Sequence, residues 1–106
     1  MAAKKQSQIC IVTVMGKDKV GIIAKLANAM ARANINIVDV NQKIMEKFFV
    51  MTMAVDIAKA TLSIPQIHKK LDKIGEEMKL KITFQDEKIF KMMHRANLLA
   101  KPASGM

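Results

Sequence analysis

The stretch Gly16-Lys17-Asp18-Lys19-Val20-Gly21 has the residue types to hold a small anion. It lies between an apolar run, Ile9 to Met15, and a helical pattern over about Val20 to Ala33. Seven residues rich in branched side chains read as a buried strand. A strand that enters a helix through a short glycine-containing hinge points the helix's first free N–H groups, and the positive end of its dipole, outward. That environment suits a carboxylate or a phosphate. Asp18 is expected to cap the helix by accepting from its first-turn amides. Gly21 falls just inside the expected first turn. An interior glycine costs roughly 1 kcal/mol against alanine, which implies that something approaches the backbone there.

Other reactive residue types do not assemble into a catalytic pattern. Cys10 is the one cysteine and sits mid-strand, with no base near it in sequence, so a core thiol is expected rather than a nucleophile. His68 and His94 stand singly on separate helical stretches, and no Cys or second His recurs at metal-ligand spacing. They read as surface or rim residues. Asp18, Asp39 and Asp56 fall in different elements and nothing pairs them as acid and base. The hinge has the wrong glycine spacing for a P-loop or a dinucleotide fingerprint. No enzyme activity, cofactor or metal is expected.

The elements that must position the hinge follow from periodicity. Strand 1 is Ile9–Met15 and helix 1 about Val20–Ala33, with Asn34 a left-handed cap at its end. Strand 2 runs Ile35–Met45, and its alternation changes phase near Ile37-Val38, which predicts a bulge. Glu46-Lys47 makes a turn into strand 3, Phe48–Ile57. Phe49, Met51, Met53, Val55 and Ile57 share one face of that strand. Ser63-Ile64-Pro65-Gln66 has the form of a capping box with proline in the first turn, and starts a helix over Ile64–Met78. Strand 4 is Leu80–Phe84. A last helix is predicted from Asp86, as N-cap, to about Leu99. The order is βαββαβ. Two right-handed crossovers make it an α+β, ferredoxin-like sandwich: a four-stranded antiparallel sheet, two helices on one face, and a C-terminal helix. Residues 1–8 and 101–106 read as disordered ends around one domain over 9–85 and the helix over 86–100.

The hinge Gly16-Lys17-Asp18-Lys19-Val20-Gly21-Ile22, followed after one helix by Asn34-Ile35-Asn36-Ile37, resembles the ACT domain family. The likeness covers about residues 8 to 97, and is nearest to short free-standing ACT proteins that resemble the glycine cleavage system regulator. ACT domains are small regulatory modules that bind amino acids and related metabolites, commonly at a dimer interface. The resemblance implies a ligand held by the hinge of one protomer, at Asp18, Lys19, Val20, Gly21 and Ile22, and by the start of strand 2 of the other, at Asn36 and Ile37. Backbone N–H groups near Val20 to Ile22 would hold a carboxylate, Asp18 would meet an ammonium, and the Asn36 amide can both donate and accept. Many ACT hinges have proline before the glycine where this chain has Val20, so the ligand's identity does not transfer. Both residues also have plain structural roles open to them, Asp18 as a cap and Asn36 at a strand edge.

Composition bounds the rest. The 106 residues are 51% hydrophobic, enough for a real core, with ten Met and no Trp or Tyr. One cysteine cannot make an internal disulfide, and no stretch is long and apolar enough for a membrane span, so a cytoplasmic protein is expected. The formal charge is +9, from lysines spread along the chain. A solvated lysine surface accounts for it, and a polyanionic partner is the alternative. Strand 1 is apolar on both faces while two helices cover only one. The exposed set is either Cys10, Val12 and Val14 or Ile9, Ile11 and Met15, and a homodimer or the chain's own last helix would cover it. Two other readings stay open: a protein-interaction module with no metabolite ligand, and an RNA-binding domain of the same element order. The second is disfavoured because strand 1 carries no aromatic residue on which bases could stack.

Overall fold

The computed structural model describes residues 6–92. The elements are β1 (Ile9–Lys17), α1 (Ile22–Arg32), β2 (Asn36–Met45), β3 (Phe48–Asp56), α2 (Ile64–Met78) and β4 (Leu80–Asp86). The strands form one sheet in the order β2-β3-β1-β4. All three pairings are antiparallel. The βαββαβ ferredoxin-like sandwich is therefore present. A helix begins at residue 87 and continues to the end of the described residues. Asp86 Oδ1 accepts from the Lys88 amide at 2.8 Å, so Asp86 caps it as expected. The remainder of that expected helix, His94 and the two chain ends, residues 1–5 and 93–106, lie outside the described residues. No helix among the described residues is long and apolar enough to cross a membrane.

The core lies between the sheet and the two helices. Cys10, Val12 and Val14 of β1 point into it, opposite Val55, Met53 and Met51 of β3. Ile22, Leu26 and Met30 close it from α1, and Ile67, Leu71 and Ile74 from α2. The spacing of those helix residues is the apolar stripe expected of a helix that covers a sheet. Ile9, Ile11 and Met15 take the other face of the sheet, but of the three only Met15 is exposed: Ile11 is buried and Ile9 half-buried. That face is less apolar than β1 alone suggests. Asn41, Thr52, Thr13 and Thr83 are successive register partners, so a polar row crosses its centre. The Thr13 and Thr83 hydroxyls hydrogen-bond to each other.

Local signals fix the element ends. At α2, Ser63 Oγ accepts from the Gln66 amide at 3.3 Å, and Gln66 Oε1 accepts from the Ser63 amide at 2.8 Å. Both halves of the capping box are present. At the end of α1, Asn34 has φ 56°. The Ile35 amide donates to the Met30 carbonyl at 2.9 Å and the Asn34 amide to Ala31 at 3.1 Å. These two bonds are a Schellman closure, and Met30 and Ile35 are both buried beside it. The predicted bulge falls between Ile37 and Asp39, where Val38 is the extra residue of β2. Gln8, expected in the frayed N-terminus, is tied down: its amide donates to Asp56 Oδ1 at 3.0 Å and its carbonyl accepts from Ile57.

Candidate functional site

The hinge between β1 and α1 differs from expectation at its cap. Asp18 does not cap α1. The N-cap is Gly21, with φ 92° and ψ 1°, and among the described residues no side chain bonds to the first-turn amides. The first turn also contains no acidic residue. The conformation accounts for the glycine. A Cβ at Gly21 would meet no atom of the described residues within 4 Å, so φ rather than a close neighbour among them requires it. The expected close approach to the backbone is not made by any of the described residues. The result is a helix N-terminus presented without a built-in partner.

Other contacts hold the hinge in place. The Asp18 amide donates to the Lys47 carbonyl at 2.8 Å, which ties the hinge to the β2–β3 turn. Lys19 Nζ donates to the Met78 carbonyl at 2.6 Å, at the C-terminal end of α2. A cation there meets unpaired carbonyls and the negative end of the helix dipole. Lys19 is thus a strut between hinge and helix. Ile22 is buried in the core, while Val20 at the apex is 98% exposed.

A cleft of about 240 Å³ lies at this helix terminus. Asp18, Lys19, Gly21 and Ile22 line it with Ile23 and Ala24 on one side, and Gln42, Ile44 and Phe49 on the other. The sequence reading missed Gln42. Its signal was available: after the bulge, Val40, Gln42 and Ile44 share one side of β2, so Gln42 is a polar residue in an apolar row. By register they stand opposite Met53, Met51 and Phe49, the core-facing residues of β3. The cleft therefore combines uncapped amides, the Asp18 carboxylate, the Gln42 amide and apolar walls.

Asn36 and Ile37 are not in this cleft. Asn36 pairs with Asp56, whereas the hinge follows Lys17, which pairs with Phe48 at the opposite end of β3. Eight strand steps separate those ends, roughly 26 Å at about 3.3 Å per residue. Asn36 instead lines a separate cleft of about 640 Å³ with Ser7, Asn34, Asp56 and Lys59. The Asp56 carboxyl is held below its usual range chiefly by the Ala58 amide, then by that of Gln8, both 3.0 Å from Oδ1. In one chain the two groups of predicted ligand residues cannot reach one small molecule.

The remaining candidates are inert by geometry. Cys10 is 2% exposed. Burial, followed by the charges of Asp86 and Asp56, pushes its thiol up to about 11, so it is a protonated core thiol and not a nucleophile at neutral pH. His68 packs edge-on against Phe84, ring centroids 5.0 Å apart. No group of three or more His, Cys, Asp or Glu among the described residues is arranged to hold a metal ion.

Known proteins place this arrangement. Residues 8–85 match the family model of the ACT domain. A UPF0237 protein of Listeria innocua is 46% identical over 85 residues, which is 80% of this chain and 96% of the relative. Among solved structures, an ACT domain protein from Streptococcus pneumoniae superposes with a TM-score of 0.69 at 28% identity, over 80% of this chain and 96% of that one. A putative glycine cleavage system transcriptional repressor shares the fold with a TM-score of 0.67 at 21% identity, over 76% of this chain and 46% of its own. With a family model matched over most of its length and relatives more than 40% identical, the chain belongs to the ACT domain family.

Proposed function

We propose that this chain is a non-enzymatic regulatory protein that senses a free amino acid, or a metabolite built like one, at a site completed by two copies of the chain. One observation carries the reading: the N-terminus of α1 lines a cleft behind a left-handed glycine, with no capping side chain and no acid in its first turn. A carboxylate there would accept from the first-turn amides. The Asp18 carboxylate and the Gln42 amide are available to an ammonium group on the same molecule. The resemblance adds Asn36 and Ile37, which a second protomer would have to supply because they lie at the far end of the sheet.

Pairing of two chains has support in the apolar surface. β2 is an edge strand, and its Val38, Val40, Ile44 and Met45 are 45–61% exposed. Rows of this kind on an open edge favour association. The buried free thiol of Cys10 fits a reducing compartment, which supports a cytoplasmic location. The RNA-binding alternative has less support. Phe49 and Phe84 are buried, and among the aromatics of the strands only Phe48 is exposed, at one end of the sheet.

A thermal-shift screen against the twenty amino acids tests the reading. A ligand at a hundred times its dissociation constant adds about 2.7 kcal/mol, a rise on the order of several degrees for a domain of this size. The expected result is a hit that Asn36→Ala abolishes while the unliganded variant keeps its melting temperature. Silence across the screen, with a concentration-independent monomer by sedimentation, overturns it.

A further inference from the structure

The other side of the molecule carries a groove that the hinge site does not use. It runs between α1 and α2, on the layer facing away from the sheet, with a volume of about 630 Å³. From α1 it is lined by Lys25, Asn28, Ala29 and Arg32, at the i, i+3, i+4, i+7 spacing of one helical face. From α2 it is lined by Gln66, Lys69, Lys70, Lys73, Ile74 and Glu77, again one face. Gln66 to Glu77 spans about three turns, roughly 17 Å at about 1.5 Å per residue.

The groove's charge is one-sided. Lys25, Arg32, Lys69, Lys70 and Lys73 line it against a single acid, Glu77. Glu77 pairs with Lys25 at 3.3 Å, both side chains about half exposed. Elsewhere on α2 the charged residues are the acids Asp72 and Glu76, which lie outside the groove. The positive residues are thus concentrated where the two helices leave a channel. The floor is apolar, with Ala29 and Ile74 buried and Leu62 half-buried.

We propose that this groove docks an acidic amphipathic helix of a partner protein, about three turns long. Its apolar side would rest on Leu62 and the aliphatic stems of the lysines, above the buried Ala29 and Ile74, and its carboxylates would meet the basic groups on both rims. Helix-in-groove recognition requires that combination of apolar floor and complementary rim. Nucleic acid would engage the lysines through phosphates and make no use of the floor. The proposal does not rest on the metabolite reading, since none of these residues lines the hinge cleft.

The test uses the full chain and a fluorescein-labelled synthetic helix with leucines on one side and glutamates on the other, followed by anisotropy. A scrambled peptide of the same composition and a DNA duplex serve as comparators. Saturable binding is expected, weakened when NaCl rises from about 50 to about 200 mM. The triple variant Lys69→Gln, Lys70→Gln, Lys73→Gln should bind roughly tenfold more weakly. Lys43→Gln with Lys81→Gln, on the opposite face of the sheet, should bind unchanged. Glu77→Gln removes the groove's acid and frees Lys25, so it should bind severalfold more tightly. Circular dichroism melts check that each variant folds. Equal binding of the scrambled peptide, equal loss in the Lys43/Lys81 variant, no gain in Glu77→Gln, or tighter binding of the duplex than of the helix each overturns the proposal.

Discussion

Gly21 concentrates the residue-scale argument, because its role differs from the one its position in the sequence implies. It holds φ 92° in open space. An alanine there would strike nothing, so the cost is conformational, about 1–2 kcal/mol for an L-residue in the left-handed region. Gly21→Ala should lower the melting temperature by several degrees. Gly21→Asn should recover part of the loss, since asparagine tolerates that region better. Differential scanning fluorimetry of the two variants checks the order. Asp56 makes a second residue-scale case. Its folded carboxyl titrates below the ordinary 3.8 because the Ala58 and Gln8 amides favour the charged form. The sign follows: the ionised group stabilises the fold above that ordinary value, and the contribution is lost as pH falls toward and through the lower folded one. Asp56→Asn keeps an oxygen acceptor but no charge. Chemical denaturation should find the variant less stable than wild type at neutral pH, with the gap closing as the pH drops below 3.8.

At the scale of elements, Gly75 shows how closely α2 lies on β4. A Cβ there would sit 2.8 Å from the Leu80 carbonyl oxygen, a backbone atom that cannot swing away. Alanine would gain about 1 kcal/mol in helix propensity. Forcing the helix off the strand costs about 1–3 kcal/mol. Gly75→Ala is therefore expected to be destabilising on balance, read as a lower denaturant midpoint with an unchanged slope. Gly16 is the milder contrast, because its nearest obstacle is the Leu80 Cδ2 methyl at 2.7 Å, the end of a flexible side chain. The elements also mark how far the sequence can be read. Ser63, Pro65 and Gln66 are local signals, so α2 begins and ends where periodicity puts it. The bulge at Val38 was legible from a change of alternation. The cap of α1 was not: Asp18 is a good capping residue by type, but its amide is drawn to the Lys47 carbonyl from another hairpin, and the helix starts later, at Gly21. Gln42 was legible as the polar member of the row Val40, Gln42, Ile44, but its place in the cleft was not, because the pairing with Met51 sets it. Non-local pairings of this kind leave no mark in a window of neighbouring residues.

At the scale of the whole molecule, the decisive fact is a separation. Hinge and Asn36 occupy opposite ends of one sheet, so a site that uses both must join two chains side by side with their strands antiparallel. In a twofold dimer this makes two equivalent sites, each with the hinge of one chain and Asn36 of its partner. Consider a chain with a damaged hinge, Gly21→Ala, and a second with a damaged strand, Asn36→Ala. Homodimers of either have no intact site. A heterodimer has one site with both defects and one with neither. Random re-assortment makes half the dimers hetero, so the mixture should recover roughly a quarter of the wild-type binding capacity, at wild-type affinity, because each isologous site draws one half from each chain. The two variants would be unfolded together, refolded together, and titrated calorimetrically with the amino acid that raises the melting temperature. Recovery of binding from two inactive parents requires a shared site. Undiminished binding by the Asn36→Ala dimer alone, with about half the wild-type capacity in the mixture, would confine the ligand to the cleft of Asp18, Gly21 and Gln42 within one chain and remove Asn36 from it.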